Sequence, residues 1–245
     1  MVIAWLQAAN ISAVSDLVGL TWNEVDGIQQ RAFNRGLARR QATPVAHVAI
    51  DETWLQMRDE HVSVITDRER GVVLEVLEDR TTEHISSWLI FQGAAPLSAI
   101  KSVSMDTWPA FINAFLKHVP MAKEKICFDR YHIASSFGNA VRKIRNQEYK
   151  KIIHEEGVSA LKGTTYDWLR TSANIDHRSR PSFMELTRQN LKTARAWAIK
   201  EQAGKLWDFI SRTWAEKGWK HFLKWIDRCQ LDPVKNVGRM IKKHL

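Results

Sequence analysis

Val45-Ala-His-Val-Ala-Ile-Asp-Glu52 is the stretch at which the chain changes its period. Upstream, apolar residues recur at helical spacing, whereas from Val45 onward β-branched residues gather in short runs bounded by turn formers, which is the pattern of strands. Pro44, directly ahead, cannot carry a helix forward because it has no amide hydrogen and its ring clashes with the preceding turn. Gln41-Ala-Thr-Pro44 therefore reads as a short linker. The stretch closes on two carboxylates, with Asp51 following the apolar Val48-Ala-Ile50.

Downstream, the strand pattern repeats. Val62 to Thr66 and Val72 to Leu77 flank a turn at Asp67-Arg-Glu-Arg-Gly71, which with Val45 to Ile50 predicts a three-stranded antiparallel meander. Thr81-Thr-Glu-His84 opens a helix to about Phe91. A strand over Ser98 to Met105, a helix over Trp108 to His118 and a strand over Lys125 to Phe128 follow. The order β-β-β-α-β-α-β, with right-handed crossovers after the meander, predicts a mixed sheet in an α/β domain of ribonuclease-H-like kind.

Upstream, Val2 to Ala9, Ser12 to Val18 and Trp22 to Arg40 read as helices. Gly19-Leu20-Thr21 joins the last two, and Thr21 with Glu24 three residues later makes a capping box. A short helix, a glycine turn and a capped helix form the helix-turn-helix pattern, in which the start of the second helix meets base edges. Thr21, Trp22, Asn23 and Gln29 are the candidates for DNA contact. Any helical hairpin shares this pattern.

From about Tyr131 onward no strand is evident. Helical stretches broken near Gly157, Gly163 and His177 to Pro181 carry Trp168, Trp197, Trp207, Trp214, Trp219 and Trp225. Packing into a core is the expected use of most of these rings, with base stacking the alternative. The division expected is therefore 1–40 as a helix-turn-helix segment, 45–150 as a ribonuclease-H-like core and 151–245 as a basic, all-α insertion.

The net charge of +9 favours a polyanionic partner. Its distribution is uneven. Met1 to Ala46 carries four basic and three acidic residues, His47 to His132 nine and thirteen, and Ile133 to Leu245 twenty-three and eleven. An acidic middle suits hard cations, which take oxygen ligands, and a basic end suits phosphates through counterion release. Cys127 and Cys229 have no metal-ligand spacing and read as free thiols. No run approaches the roughly 18 apolar residues of a membrane span. Met1-Val-Ile-Ala-Trp-Leu6 lacks the features of a signal peptide, so a cytoplasmic location is expected.

Asp51 and Asp106 each follow an apolar strand, Asp106 after Val103-Ser-Met105. If those strands are neighbours, they lie about 4.8 Å apart and both carboxylates can share one divalent cation. With a third carboxylate they could hold two ions for phosphodiester chemistry. The plain alternative is that each Asp ends its strand in a turn. In Phe128-Asp-Arg-Tyr-His132, Asp129 either supports a metal site or caps the following helix, and His132 either reaches a phosphate or fixes a carboxylate.

Taken together, Val48-Ala-Ile-Asp-Glu52, Val73-Leu-Glu-Val-Leu-Glu-Asp-Arg80, Ser104-Met-Asp-Thr-Trp108 and Phe128-Asp-Arg-Tyr-His-Ile133 resemble the catalytic core of the ISL-three family of bacterial insertion-sequence transposases. Ile11 to Arg40 resembles that family's helix-turn-helix, and the Trp-rich end its inserted domain. The resemblance implies that Asp51 and Asp106 are the first two members of an Asp-Asp-Glu metal site and that Asp129 and His132 match an accessory Asp-x-x-His motif. It also implies Mg2+ or Mn2+ as cofactor and double-stranded DNA, at element ends and target, as partner. It leaves a homo-oligomer open and points to no membrane.

Two departures stand out. No cysteine-rich zinc segment precedes Ile11, and the stretch expected to carry the catalytic Glu is not found before Met240-Ile-Lys-Lys-His-Leu245. Glu185, Glu201 and Glu216 have neighbours unlike that stretch. The expectation is thus a transposase fragment that is catalytically incomplete. Its rivals are a non-catalytic DNA-binding regulator derived from a transposase and a nuclease of the same fold acting on another nucleic acid.

Overall fold

The computed structural model describes residues 1–39, 43–55 and 60–243, so Arg40, Gln41, Ala42, His244 and Leu245, on which expected element and linker boundaries fall, lie outside the described residues. The chain forms two units, Met1–Pro44 and Val45–Leu245.

The first unit is helical: α1 (Val2–Leu6), α2 (Ile11–Val18) and α3 (Trp22–Ala38). Asn10 caps α2, its side chain accepting the Ala13 amide at 2.9 Å. The helix ends at Gly19, whose φ of +68° is a left-handed conformation that glycine adopts without steric cost. Val14 and Val25 close the hairpin as its buried residues. The expected capping box is present. The Thr21 hydroxyl accepts the Glu24 amide at 3.4 Å, and the Thr21 amide donates to Glu24 Oε2 at 2.8 Å.

Thr21→Ala is therefore expected to weaken the start of α3 by about 1 kcal/mol, measured as roughly fivefold faster amide exchange at Glu24 and Val25. Hydrogen bonds from the Thr21 backbone and then its hydroxyl hold the Glu24 carboxyl below the usual carboxylate range. A lowered folded-state pKa means that this support is present above the ordinary carboxylate pKa. It fades as pH falls through the lowered value, and exchange at these amides should quicken over that interval.

The second unit begins with β1 (His47–Leu55), β2 (Glu60–Asp67) and β3 (Val72–Leu77). These form the expected antiparallel meander. Asp67 organises its turn by accepting the Glu69 and Arg70 amides at 2.9 and 3.1 Å, and Gly71 supplies a φ of +66°. Then come α4 (Thr82–Gln92), α5 (Ala94–Ala99), β4 (Ser102–Met105), α6 (Pro109–His118), the single turn α7 (Ala122–Lys125) and β5 (Ile126–Phe128). The five strands lie in the order β3-β2-β1-β4-β5, with β1, β4 and β5 parallel.

Two strand boundaries differ from the sequence reading by more than two residues. The apolar run ends at Ile50, but β1 continues to Leu55 because its antiparallel pairing with β2 extends through Asp51↔Val64 to Leu55↔Glu60. The strand expected from Ser98 is shorter. Ser98 belongs to α5, its hydroxyl donating to the Ala94 carbonyl at 2.9 Å, and β4 starts only where buried and less buried positions alternate, at Ser102.

One face of the sheet is dry. Val48, Ile50, Ile65, Val103 and Met105 pack with Ile85 and Leu89 of α4 and Phe111, Ala114 and Phe115 of α6. A second core forms around α8 (Arg130–Glu156), with α9 (Thr165–Leu169), α10 (Arg180–Arg188), α11 (Lys192–Lys205), α12 (Arg212–Arg228) and α13 (Asp232–Lys242). Phe128 packs against both cores. The border expected between residues 150 and 151 falls inside α8, which is continuous through both.

The tryptophans divide. Trp168 and Trp197 are buried and form an edge-to-face trio with Phe183, with centroid separations of 4.7, 5.3 and 6.4 Å. Trp214 and Trp225 are exposed. No helix among the described residues is long and apolar enough to cross a membrane.

Candidate functional site

Strand register places the two aspartates. Parallel pairing of β1 with β4 runs Val48↔Val103, Ala49↔Ser104, Ile50↔Met105, so Asp51 comes next on β1 and Asp106 directly after the end of β4. Side chains alternate between faces. Since Ile50 and Met105 point into the dry core, Asp51 and Asp106 project from the opposite face at the same height. The third parallel strand supplies the rest of the site: the Asp129 amide donates to the Met105 carbonyl at 2.9 Å, and α8 starts immediately after it.

His132, in the first turn of α8, stands between the two carboxylates. Its Nε2 lies 3.4 Å from Asp51 Oδ1 and its Nδ1 lies 3.9 Å from Asp106 Oδ2. These are ion-pair separations, too long for well-made hydrogen bonds. The Asp51 side chain is 60% exposed and that of Asp106 24%, so the first is open to solvent and the second is partly enclosed. Asp51 Oδ1 accepts the Glu52 amide at 2.8 Å. Asp106 Oδ1 accepts the Thr107 amide and, at 3.2 Å, the Thr107 hydroxyl.

Asp129 does something else. Its carboxylate accepts the Tyr131 amide at 2.7 Å as the N-cap of α8, the second of the two uses its sequence context left open. By fixing the first turn of α8 it orients His132. Three of the four residues singled out at and beyond the strand ends are thus brought together, and the fourth holds the helix that brings one of them.

Neighbours not singled out from sequence complete the surroundings. Arg80 Nη1 pairs with Glu52 Oε2 at 2.8 Å, its guanidinium lies 4.3 Å from the Trp108 ring centroid, and Trp108 Nε1 donates to the Arg80 carbonyl at 3.3 Å. This links Glu52, the residue after Asp51, to Trp108, two residues after Asp106. The signal was adjacency: both sit inside the motifs around Asp51 and Asp106. The Thr107 hydroxyl also lies 3.9 Å from Met240 Sδ, so α13 reaches the edge of the site.

A divalent cation of the Mg2+ class requires oxygen ligands. Asp51 and Asp106 supply carboxylate oxygens from neighbouring strands, the ligand type such an ion takes. His132 turns its two nitrogens to different carboxylates, so the three groups do not converge on one point. Among the described residues, no set of three or more His, Cys, Asp or Glu side chains is placed to hold a metal ion. Of the glutamates considered from sequence, Glu201 is tied to Lys200 at 2.9 Å, Glu216 to Arg212 at 3.0 Å, and Glu185 is exposed on α10.

On the first unit, Trp22, Asn23 and Gln29 are exposed along α3, while the Thr21 side chain is engaged in its cap.

Comparison with known proteins agrees with the resemblance of the motifs. The chain is 21% identical over 244 residues to the transposase for insertion sequence element IS1001 of Bordetella parapertussis, covering 98% of this chain and 59% of that protein. It therefore spans about three fifths of the length of the curated relative it matches. The family model described as Transposase, that of the ISL3 type of DDE enzymes, matches residues 48–245, from the second residue of β1 to the end of the chain. The chain belongs to the ISL3 family of transposases.

Proposed function

We propose that this chain is the DNA-engaging part of an insertion-sequence transposase, with Asp51 and Asp106 as the carboxylates that hold a divalent cation at a reacting phosphodiester. The observation that carries this reading is the register that sets the two aspartates side by side with His132 between them. The strand order β3-β2-β1-β4-β5, three antiparallel and then two parallel, supports a ribonuclease-H-like core. The capped α3, with Trp22, Asn23 and Gln29 exposed, supports a helix-turn-helix that meets DNA. Double-stranded DNA is the partner in this reading.

Mg2+ or Mn2+ bound by the two carboxylates would supply Lewis-acid polarisation of a phosphoryl oxygen. The protein's own contribution is positional. Thr107 restrains Asp106, Asp129 fixes the start of α8, and α8 holds the His132 ring where it faces both carboxylates and can donate to a phosphate oxygen.

A symmetric two-ion clamp needs more carboxylate oxygen than this pair provides. The chain as described is therefore proposed to hold one ion and to bind DNA ends without completing strand transfer.

Titration with Mn2+, followed by water-proton relaxation or calorimetry, tests the site. One ion is expected to bind, and Asp51→Asn and Asp106→Asn are each expected to weaken it at least about tenfold, since each removes a charged oxygen ligand. Unchanged binding in both variants would overturn the assignment. Nicking and joining of duplex DNA by this chain in Mg2+, abolished by Asp51→Ala, would overturn the proposal of incomplete catalysis.

A further inference from the structure

The helix that carries His132 also carries an unusual outward face. α8 runs 27 residues, Arg130–Glu156, about 40 Å at 1.5 Å per residue. Its inner face is buried through Phe137, Val141 and Ile144. At about 100° per residue, Asn139, Lys143, Asn146 and Lys150 all fall within about 40° of His132 on the opposite side. They form a row that begins in the candidate site and leads away from it.

The chemistry of that row is uniform. Asn139, Arg142, Lys143, Asn146, Gln147 and Lys150 line a shallow open depression of about 320 Å³, and all six are exposed. No acidic residue occurs on α8 before Glu148, and Glu148 faces the core, where it accepts the Lys192 and Thr193 amides at the start of α11 at 2.7 and 2.8 Å. Glu155 is paired with Lys151 at 3.7 Å. Among the described residues, Arg142, Lys143 and Lys150 take part in no ion pair. The depression is lined by no apolar side chain, which a docked protein helix or a membrane surface would call for as an anchor.

We propose that the outward face of α8, from His132 to Lys150, is a track for the phosphate backbone of duplex DNA flanking the Asp51–Asp106 pair. Arg142, Lys143 and Lys150 neutralise phosphates, and Asn139, Asn146 and Gln147 donate amide hydrogens beside them. From His132 to Lys150 the track covers about 27 Å, close to eight base-pair steps at about 3.4 Å each. Its amides add donors without adding charge, so the row holds backbone without specifying sequence. The assignment rests on the transposase reading for the identity of its ligand, but its geometry is that of a separate surface.

The test is binding of a mixed-sequence duplex of about 20 base pairs by fluorescence anisotropy across a salt series. The full chain is compared with R142Q/K143Q/K150Q on the track and with K217Q/K220Q/K224Q on the exposed side of α12, which removes the same charge elsewhere. The track variant is expected to flatten the slope of log K against log salt by about two to three, and the α12 variant by less than about one. The charge-preserving R142K/K143R/K150R should retain the wild-type slope, which excludes misfolding as the cause.

Equal flattening by both charge-removing variants, or none from the track variant, overturns the track while leaving DNA binding in place. A wild-type chain that does not bind duplex at all overturns it as well. Failure of the Mn2+ titration with normal salt slopes would instead sink the metal-site reading and leave the track standing, so the two failures are distinguishable.

Discussion

Trp168→Ala is expected to lower the stability of the Val45–Leu245 unit by about 3–5 kcal/mol. The ring is fully buried in the helical core, meets Phe183 and Trp197 edge to face at 4.7 and 6.4 Å, and donates its Nε1 hydrogen to Thr164 Oγ1 at 3.0 Å. Truncation removes apolar burial, leaves a cavity among aromatic rings that cannot collapse into it, and takes away the donor to Thr164 Oγ1, whose hydroxyl keeps its bond to the Leu161 carbonyl at 2.8 Å. Urea unfolding followed by circular dichroism should show an earlier midpoint with little change in slope. Trp214→Ala, at a ring 62% exposed, is the matched comparison and should stay within about 0.5 kcal/mol. Equal effects from the two substitutions would mean that the helical layer does not pack around Trp168.

The second large effect is expected at Glu201. Its carboxylate pairs with Lys200 Nζ at 2.9 Å and accepts the Ser172 amide at 2.9 Å, and the two side chains are 17% and 9% exposed. Glu201→Ala leaves a nearly buried ammonium whose remaining acceptor is the Arg170 carbonyl, at 2.8 Å, and strands the Ser172 amide. Removing one partner of such a pair costs about 3 kcal/mol.

The pH dependence has a definite sign. Burial pushes the Glu201 carboxyl up, but the hydrogen bonds from Lys200 and Ser172 and the charge of Lys200 outweigh it and hold the carboxyl below its ordinary range. Its stabilising contribution is therefore complete above the ordinary carboxylate pKa and is lost as pH falls through the lowered folded-state value. The difference between wild type and Glu201→Ala, measured by urea midpoint, should shrink over that acidic interval. A constant difference would show that the pair is not the source of the effect.

The sheet was legible because its signals are local. Runs such as Val48-Ala-Ile50 and Val103-Ser-Met105 carry their period within a few residues, and Pro44 and Gly71 mark their limits. What was less legible depended on partners far along the chain. Nothing between Asp51 and Leu55 looks like continued strand until β2 is set beside it, since pairing rather than apolarity extends β1. Ser98 and Ala99 looked like strand because small residues are ambiguous between the two periods. The left-handed Met121, which starts α7, has no local signature at all.

The candidate site divides along the same line. Asp51 and Asp106 were visible as acids behind apolar runs, but that they stand level is a fact of register. Asp129 and His132 were visible as a pair, yet which of them faces the carboxylates follows from one turn of helix: the first residue caps and the fourth reaches back. The Glu52–Arg80–Trp108 linkage required three segments to meet, and no spacing within any one of them announces it. Which of the six helical tryptophans join the core was not legible from residue type: Trp168 and Trp197 are buried, while Trp214 and Trp225 are exposed.

The length of α8 has a mechanical side. One end is pinned by the Asp129 cap beside the carboxylates, and the rest is clamped by α9, α11 and α13. A helix of about 40 Å works as a lever, and tilting it by about five degrees moves its far end by about 3 Å. Turned around, a push of that size on the helical layer swings the His132 end by a fraction of an ångström, a displacement comparable to the tolerance of a reactive geometry. A displacement of the far layer would thus arrive at the two aspartates as a small change in where one imidazole stands.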